Sequence, residues 1–262
     1  MSTQNRKTDM VALRAAWEKE KAKDHYKYWK PQKNGTYLIR FLPPVDDESL
    51  FYRATAQHKV GSSYFFCPRV ENKPCPICEK YRALWAEGTP ASIALARELK
   101  PRKQYLYNIV VRETPEGKYA QPNQVQVYMS GSKVFDVVTN YFFDSQYGDL
   151  SDTEVGYDYQ IIKEDGAGGF PSYDKSRPRK NPTPLADQVT IEKILGGLKD
   201  LNKEIELKSY DELLKVLLVE VGGRDADVTT SAEPKLASSA DASAETEELN
   251  SFERELLNDL GK

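Results

Sequence analysis

The stretch "HKVGSSYFFCPRVENKPCPIC", His58 to Cys78, contains all three cysteines of the 262-residue chain and one of its two histidines. His58, Cys67, Cys75 and Cys78 follow the pattern H-x8-C-x7-C-x2-C. Two residues between Cys75 and Cys78 make a knuckle in which both sulfurs turn toward one point. A second pair from the segment before it completes a tetrahedron of nitrogen and sulfur donors, the coordination that Zn²⁺ accepts. Four protein ligands leave no open position, so one structural ion per chain is expected rather than a catalytic one. The alternative is a Cys-x-x-Cys redox pair with an unrelated histidine nearby. No βαβ pattern surrounds Cys75, which favours the metal.

A second set of residues suits a different chemistry. Tyrosine occurs sixteen times, often beside a cation. Arg102 and Lys103 precede Tyr105 and Tyr107. Tyr128 lies on another β-type run, and Phe170 and Tyr173 lead into Lys175, Arg177, Arg179 and Lys180. Single-stranded nucleic acid is held by bases stacking on rings while cations track the phosphates, so strand-borne aromatics interleaved with Lys and Arg suit that ligand. Core tyrosines with solvated charge are the competing reading, and it is the grouping that favours the surface. Catalysis finds less support. Asp46, Asp47, Asp149 and Asp152 sit in turn-like segments, and neither a P-loop nor a Ser-His-Asp set is present.

The elements that must position these groups are legible as periodicities. "GTYLIRFLPP" at 35–44 alternates as a strand before a proline pair stops it. A second strand is expected over Leu50–Gln57, two short helices over 79–100, and a hairpin over 103–131 with Pro-Glu-Gly at its tip. A helix over 132–143 and a strand within 155–170 follow. "SRPRKNPTP" is expected to be irregular, because three prolines interrupt any ladder. Helices return at 190–201 and 209–221, the latter with Ser209 as N-cap. Another helix is expected over 11–23.

Charge divides the chain more sharply than hydropathy. Residues 223–262 hold ten acidic against four basic side chains, a net of −6, while residues 1–35 hold nine basic against four acidic, a net of +5. The acidic end is rich in Ala, Ser and Thr and reads as a disordered linker. It leads to a short apolar motif around Phe252, Leu256, Leu257 and Leu260. An odd cysteine count and the lack of an apolar leader point to a reducing, cytoplasmic setting. No run long and apolar enough for a transmembrane helix exists.

"GTYLIRFLPP", the His-Cys-Cys-x2-Cys segment, "YNIVV", "FPSYDKS" and the acidic "LLNDL" end occur in one order. In this the chain resembles the zinc-containing, helix-destabilising single-stranded DNA-binding protein of T-even-type tailed bacteriophages. The resemblance implies a mixed, mainly β fold, an OB-fold-type barrel core with an inserted zinc-binding subdomain and C-terminal helices. It implies zinc on His58, Cys67, Cys75 and Cys78, and DNA in a basic cleft touched by Tyr105, Tyr128, Phe170 and Tyr173. Leu106 stands where the family has tryptophan, with Tyr107 next to it. The implied organisation is a basic arm and helix (1–34), a DNA-binding core (35–222) with a zinc subdomain (58–100), and a disordered acidic tail (223–262).

The implied function is to coat single-stranded DNA, without strong sequence choice, in phage replication, recombination and repair. Arg6 and Lys7 would then serve cooperative contacts between neighbouring copies, and the tail would bind replication and recombination proteins. The other reading is a zinc-ribbon adaptor that binds protein instead of DNA.

Overall fold

The computed structural model of the chain describes residues 9, 10, 14 and 27–221. Apart from Arg14, the helix expected over 11–23 lies outside them. So do Arg6, Lys7 and the entire 223–262 segment with Phe252, Leu256, Leu257 and Leu260.

A long strand is the spine of the sheet. β1 (Gly35–Phe41), β2 (Tyr52–Val60) and β3 (Ser63–Phe66) precede β4 (Arg102–Thr114), which is 13 residues long. One edge of β4 carries β2 along residues 102–107 and β1 along residues 109–113. Its other edge carries β6 (Val125–Gly131) and the two-residue β5 (Gly117–Lys118), with Pro115–Gly117 at the tip as expected. β7 (Tyr159–Asp165) pairs with the outer edge of β1, and β8 (Pro171–Ser172) and β9 (Arg177–Pro178) pair with β7. All of these pairings are antiparallel, and the result is a curled half-barrel, mainly β, with helices around it.

The pairing of β9 corrects one expectation. Pro178 sits inside "SRPRKNPTP" yet takes part in a ladder, because β9 lies on an edge where the missing N–H faces no partner.

The alternation read in the sequence sorts the two faces of the sheet. Tyr37, Ile39 and Phe41 of β1 join Tyr105, Tyr107, Ile109 and Val111 of β4 in one aromatic-rich cluster. Leu106 and Val110, on the opposite face of β4, pack into two other clusters with Ile205 and with Ile194. Both faces are therefore covered, which explains why "YLYNIVV" is apolar almost without a break. Asn108 interrupts that run, and its side chain both donates to the Lys199 carbonyl (2.8 Å) and accepts from the Lys199 amide (3.0 Å). Each fully buried Ile or Phe stabilises the fold by roughly 1.5–3 kcal/mol.

Three helices build a separate cluster at the end of β2. α1 (Pro76–Glu87) and α2 (Pro90–Leu99) follow β3, while α3 (Ser132–Phe142) and α4 (Gln188–Gly196) belong to the barrel side. α5 (Tyr210–Val221) returns to pack Leu213 and Leu217 against Tyr81, Leu84 and Leu99. The start of α2 is fixed by a capping box between Thr89 and Ser92. That of α5 is fixed by Ser209, whose hydroxyl accepts from the Glu212 amide while Glu212 accepts from the Ser209 amide.

Candidate metal centre and nucleic-acid interface

His58 projects from β2, Cys67 follows β3, Cys75 caps α1, and Cys78 lies in its first turn. All four are buried, and their donor atoms lie within 4.8 Å of one another. The Sγ atoms of Cys67 and Cys78 are 3.5 Å apart, and His58 Nε2 is 3.4 Å from Cys78 Sγ and 3.6 Å from Cys75 Sγ. Ligands about 2.0–2.3 Å from a central Zn²⁺ in a tetrahedron are separated by about 3.4–3.8 Å, so these edges fit. His58 Nδ1–H donates to the Leu99 carbonyl (2.8 Å), which fixes the tautomer that leaves Nε2 free to ligate. The start of α1 favours negative charge, which suits Cys75 and Cys78 as thiolates.

With the four donors alone, electrostatics favour a thiolate on Cys75 but not on Cys78, whose pKa is pushed up by hydrogen bonds with Cys67 and Cys75. Burial opposes a charge on His58, yet hydrogen bonds with Cys67 and Cys75 prevail and push its pKa up to about 10. Hydrogen bonds from Cys67 and Cys78 pull Cys75 well below the ordinary thiol range, burial opposing them. Three sulfurs and one nitrogen are a set suited to one metal ion and consistent with zinc.

The expected aromatic contacts separate into two groups. Tyr107 and Tyr128 are 0% and 2% exposed. Phe41 meets Tyr107 edge-on at 5.3 Å, and Trp29 meets Tyr128 at 5.1 Å. Burial raises both phenol pKa values well above the ordinary range. These rings are core, and no base can reach their faces in this arrangement. Tyr105 is also buried, with Phe135 stacked on it at 3.7 Å and an interplanar angle of 5°. Tyr173 is half-buried beside Tyr37 and Tyr128, and Phe170 is 74% exposed at the end of a glycine-rich turn.

The basic residues lie nearer the surface. Arg102 is exposed at the start of β4, and Lys103 beside it is half-buried. Lys175 pairs with Glu164 at 2.8 Å, Arg179 approaches Glu113 at 3.6 Å, and Arg177 and Lys180 are exposed. Arg177 lies on β9, which packs against α3.

Sequence reasoning missed the clearest aromatic surface. A groove of about 470 Å³ is lined by Phe51, Tyr52, Phe135, Phe142 and Phe143, with Thr139, Gly148 and Asp149 completing it. Phe51 stacks on Phe142 at 4.0 Å, Tyr52 meets Phe135 edge-on at 4.8 Å, and Phe143 is 85% exposed. The signal was present, since Phe135, Thr139 and Phe142 recur at i, i+4 and i+7 on one face of α3. What they face is supplied by Phe51 and by Tyr52 at the start of β2, some 80 residues earlier.

Beyond Asp149, the loop over 152–158 is clamped by Arg40, which is fully buried. Its Nη2 donates to the carbonyls of Asp152 (2.9 Å) and Thr183 (2.7 Å), and its Nη1 lies 3.5 Å from Asp158. Burial pulls the Arg40 pKa down, and Asp158 opposes this. Gly156 is required beneath the guanidinium, because a Cβ there would stand 2.3 Å from the Asp152 oxygen and 2.9 Å from Arg40 Nη2. Asp149 and Asp152 act as turn formers, accepting from the amides of Ser151 and of Glu154 and Val155.

Compared with known proteins, residues 33–218 match a family model described as gp32 DNA binding protein like. No curated protein matches the chain. Among the described residues no helix is long and apolar enough to cross a membrane.

Proposed function

Because the chain belongs to the gp32 DNA binding protein-like family, we propose that it coats and protects single-stranded DNA, largely without regard to sequence. The observation that carries this reading is the open groove of about 470 Å³ with Phe143 unsatisfied at its edge. A surface of that kind takes the faces of unstacked bases, while Arg102, Lys103, Arg177 and Lys180 supply cations for the phosphates. Replication, recombination and repair of a phage genome, inside the host cell cytoplasm, are the processes in which such a protein serves. The metal is zinc, one ion per chain, in a structural role. The basic arm with Arg6 and Lys7 mediates contacts between copies on the DNA. The acidic tail, through Phe252, Leu256, Leu257 and Leu260, meets replication and recombination proteins.

The test is a fluorescence titration with single-stranded and duplex oligonucleotides at two salt concentrations. Single strands should bind more tightly, and Phe143→Ala should weaken them by about 1–3 kcal/mol, the worth of one stacked base. Equal or tighter binding of duplex overturns the reading. Retained protein partners with no DNA binding would favour the adaptor.

A further inference from the structure

A second hollow, of about 170 Å³, lies on the other side of Phe51 and Tyr52, which border both it and the aromatic groove. Its lining includes Arg53 and Lys199. Arg53 follows Tyr52 on β2, opposite Leu106, so its side chain leaves from the sheet face away from the aromatic core. The residue is half-buried, and its Nε is sealed from solvent with no hydrogen-bond partner. Arg40, Arg112 and Arg179 all reach carboxylates or carbonyls. Arg53 has neither an ion pair nor a side-chain hydrogen bond among the described residues. A guanidinium that has given up part of its hydration without a partner is poised for an anion. The acidic side chains of the lining are Glu48 and Asp200, and Asp200 is already paired with Lys203 at 3.0 Å. Arg53 and Lys199 thus leave a surplus of positive charge. The Lys199 backbone is clamped to Asn108, so this wall is held in place.

We infer that this hollow takes a backbone phosphate of the same single strand whose base lies in the groove, the strand crossing the edge formed by Phe51 and Tyr52. The inference rests on the single-strand reading above and adds the strand's path and a phosphate contact to it.

The experiment uses the full chain and oligo(dT), titrated between about 50 mM and about 1 M salt. Arg53→Gln should lower the slope of log K against log[salt] by about 0.7, the contribution of one phosphate, making the affinity lost about eightfold greater at the low salt than at the high. Phe143→Ala should weaken binding without changing the slope. A neutral methylphosphonate linkage, scanned through the oligonucleotide, should at one position reproduce the Arg53→Gln effect in the wild type and add nothing in the variant. Binding of inorganic phosphate with no change of DNA slope in Arg53→Gln overturns the inference. So does a methylphosphonate effect that adds fully to that of the variant. If the wild type shows no preference for single strands, it is the functional reading that fails.

Discussion

Replacing Arg40 with methionine would test whether the loops at 152–158 and 183 depend on one buried cation. Methionine keeps much of the stem's volume, so the change isolates the guanidinium. It removes two charged hydrogen bonds, to the carbonyls of Asp152 and Thr183 at 2.9 and 2.7 Å, and the 3.5 Å approach to Asp158. Hydrogen bonds to charged groups contribute about 1.5–3 kcal/mol each, which gives about 3–6 kcal/mol. The variant is also spared the cost of burying the guanidinium, the same effect that pulls its pKa down. Moreover, the Asp152 carbonyl retains the Gly156 amide at 3.2 Å. The net loss should be about 3–5 kcal/mol, in line with breaking a buried pair from one side. In urea, with a slope of about 2 kcal/mol/M, the midpoint should fall by about 2 M with the slope unchanged. Arg112→Met should cost less although Arg112 also donates to the carbonyls of Leu185 and Pro122, because its side chain keeps partial exposure and water can meet the acceptors it leaves. A loss below about 1 kcal/mol for Arg40→Met would refute the reasoning, since those loops would then be held by packing alone.

Cys78→Ser should abolish stoichiometric metal, measured by elemental analysis, and lower the melting temperature, because binding energy at a structural site is folding energy. Protons compete with the ion for the same donors, so metal should be released progressively as pH falls, followed with a chromogenic chelator. Tyr28 donates to the Glu204 carbonyl at 2.6 Å, and burial with nearby Glu204 and Glu206 raises its pKa to about 12. An unfolded tyrosine ionises near 10, so this contribution is intact below 10 and lost as pH rises toward 12; Tyr28→Phe should flatten that part of an alkaline denaturation curve. Tyr128→Ala should destabilise the fold by about 3–5 kcal/mol as a core truncation, whereas an unchanged stability with weakened DNA binding would return that ring to the interface. Deleting residues 223–262 should raise affinity for single-stranded DNA most at low salt, because the attraction of a −6 tail for a basic cleft is screened beyond about 8 Å at physiological ionic strength.

The metal donors were legible because a knuckle needs fixed spacing along the chain, and spacing is what a sequence states. The face of each strand was legible for the same reason, since Tyr105, Tyr107 and Ile109 share a side by period alone. Whether that side meets solvent was not, because the cover over Tyr107 comes from Phe51 and Phe41, far away in the chain. Arg40 reads as an outward cation in an alternating strand. Its burial is created by the loops at 152–158 and 183, which the pattern of β1 does not encode. The groove escaped notice for a related reason, as each of its walls resembles ordinary core when read alone.

The hydrogen bond from His58 to the Leu99 carbonyl joins two places that matter for assembly. Leu99 ends α2 just before β4 begins, and His58 lies on β2, which must align with β4 residue by residue. A slip of one position would exchange the two faces of β4, sending Asn108 into the aromatic core and Tyr107 out of it. It would also pull His58 away from the carbonyl that orients its ring, so the four donors could no longer meet around one ion. An ion held by these four donors would therefore favour the alignment of two strands at a distance, the one in which the barrel is built correctly.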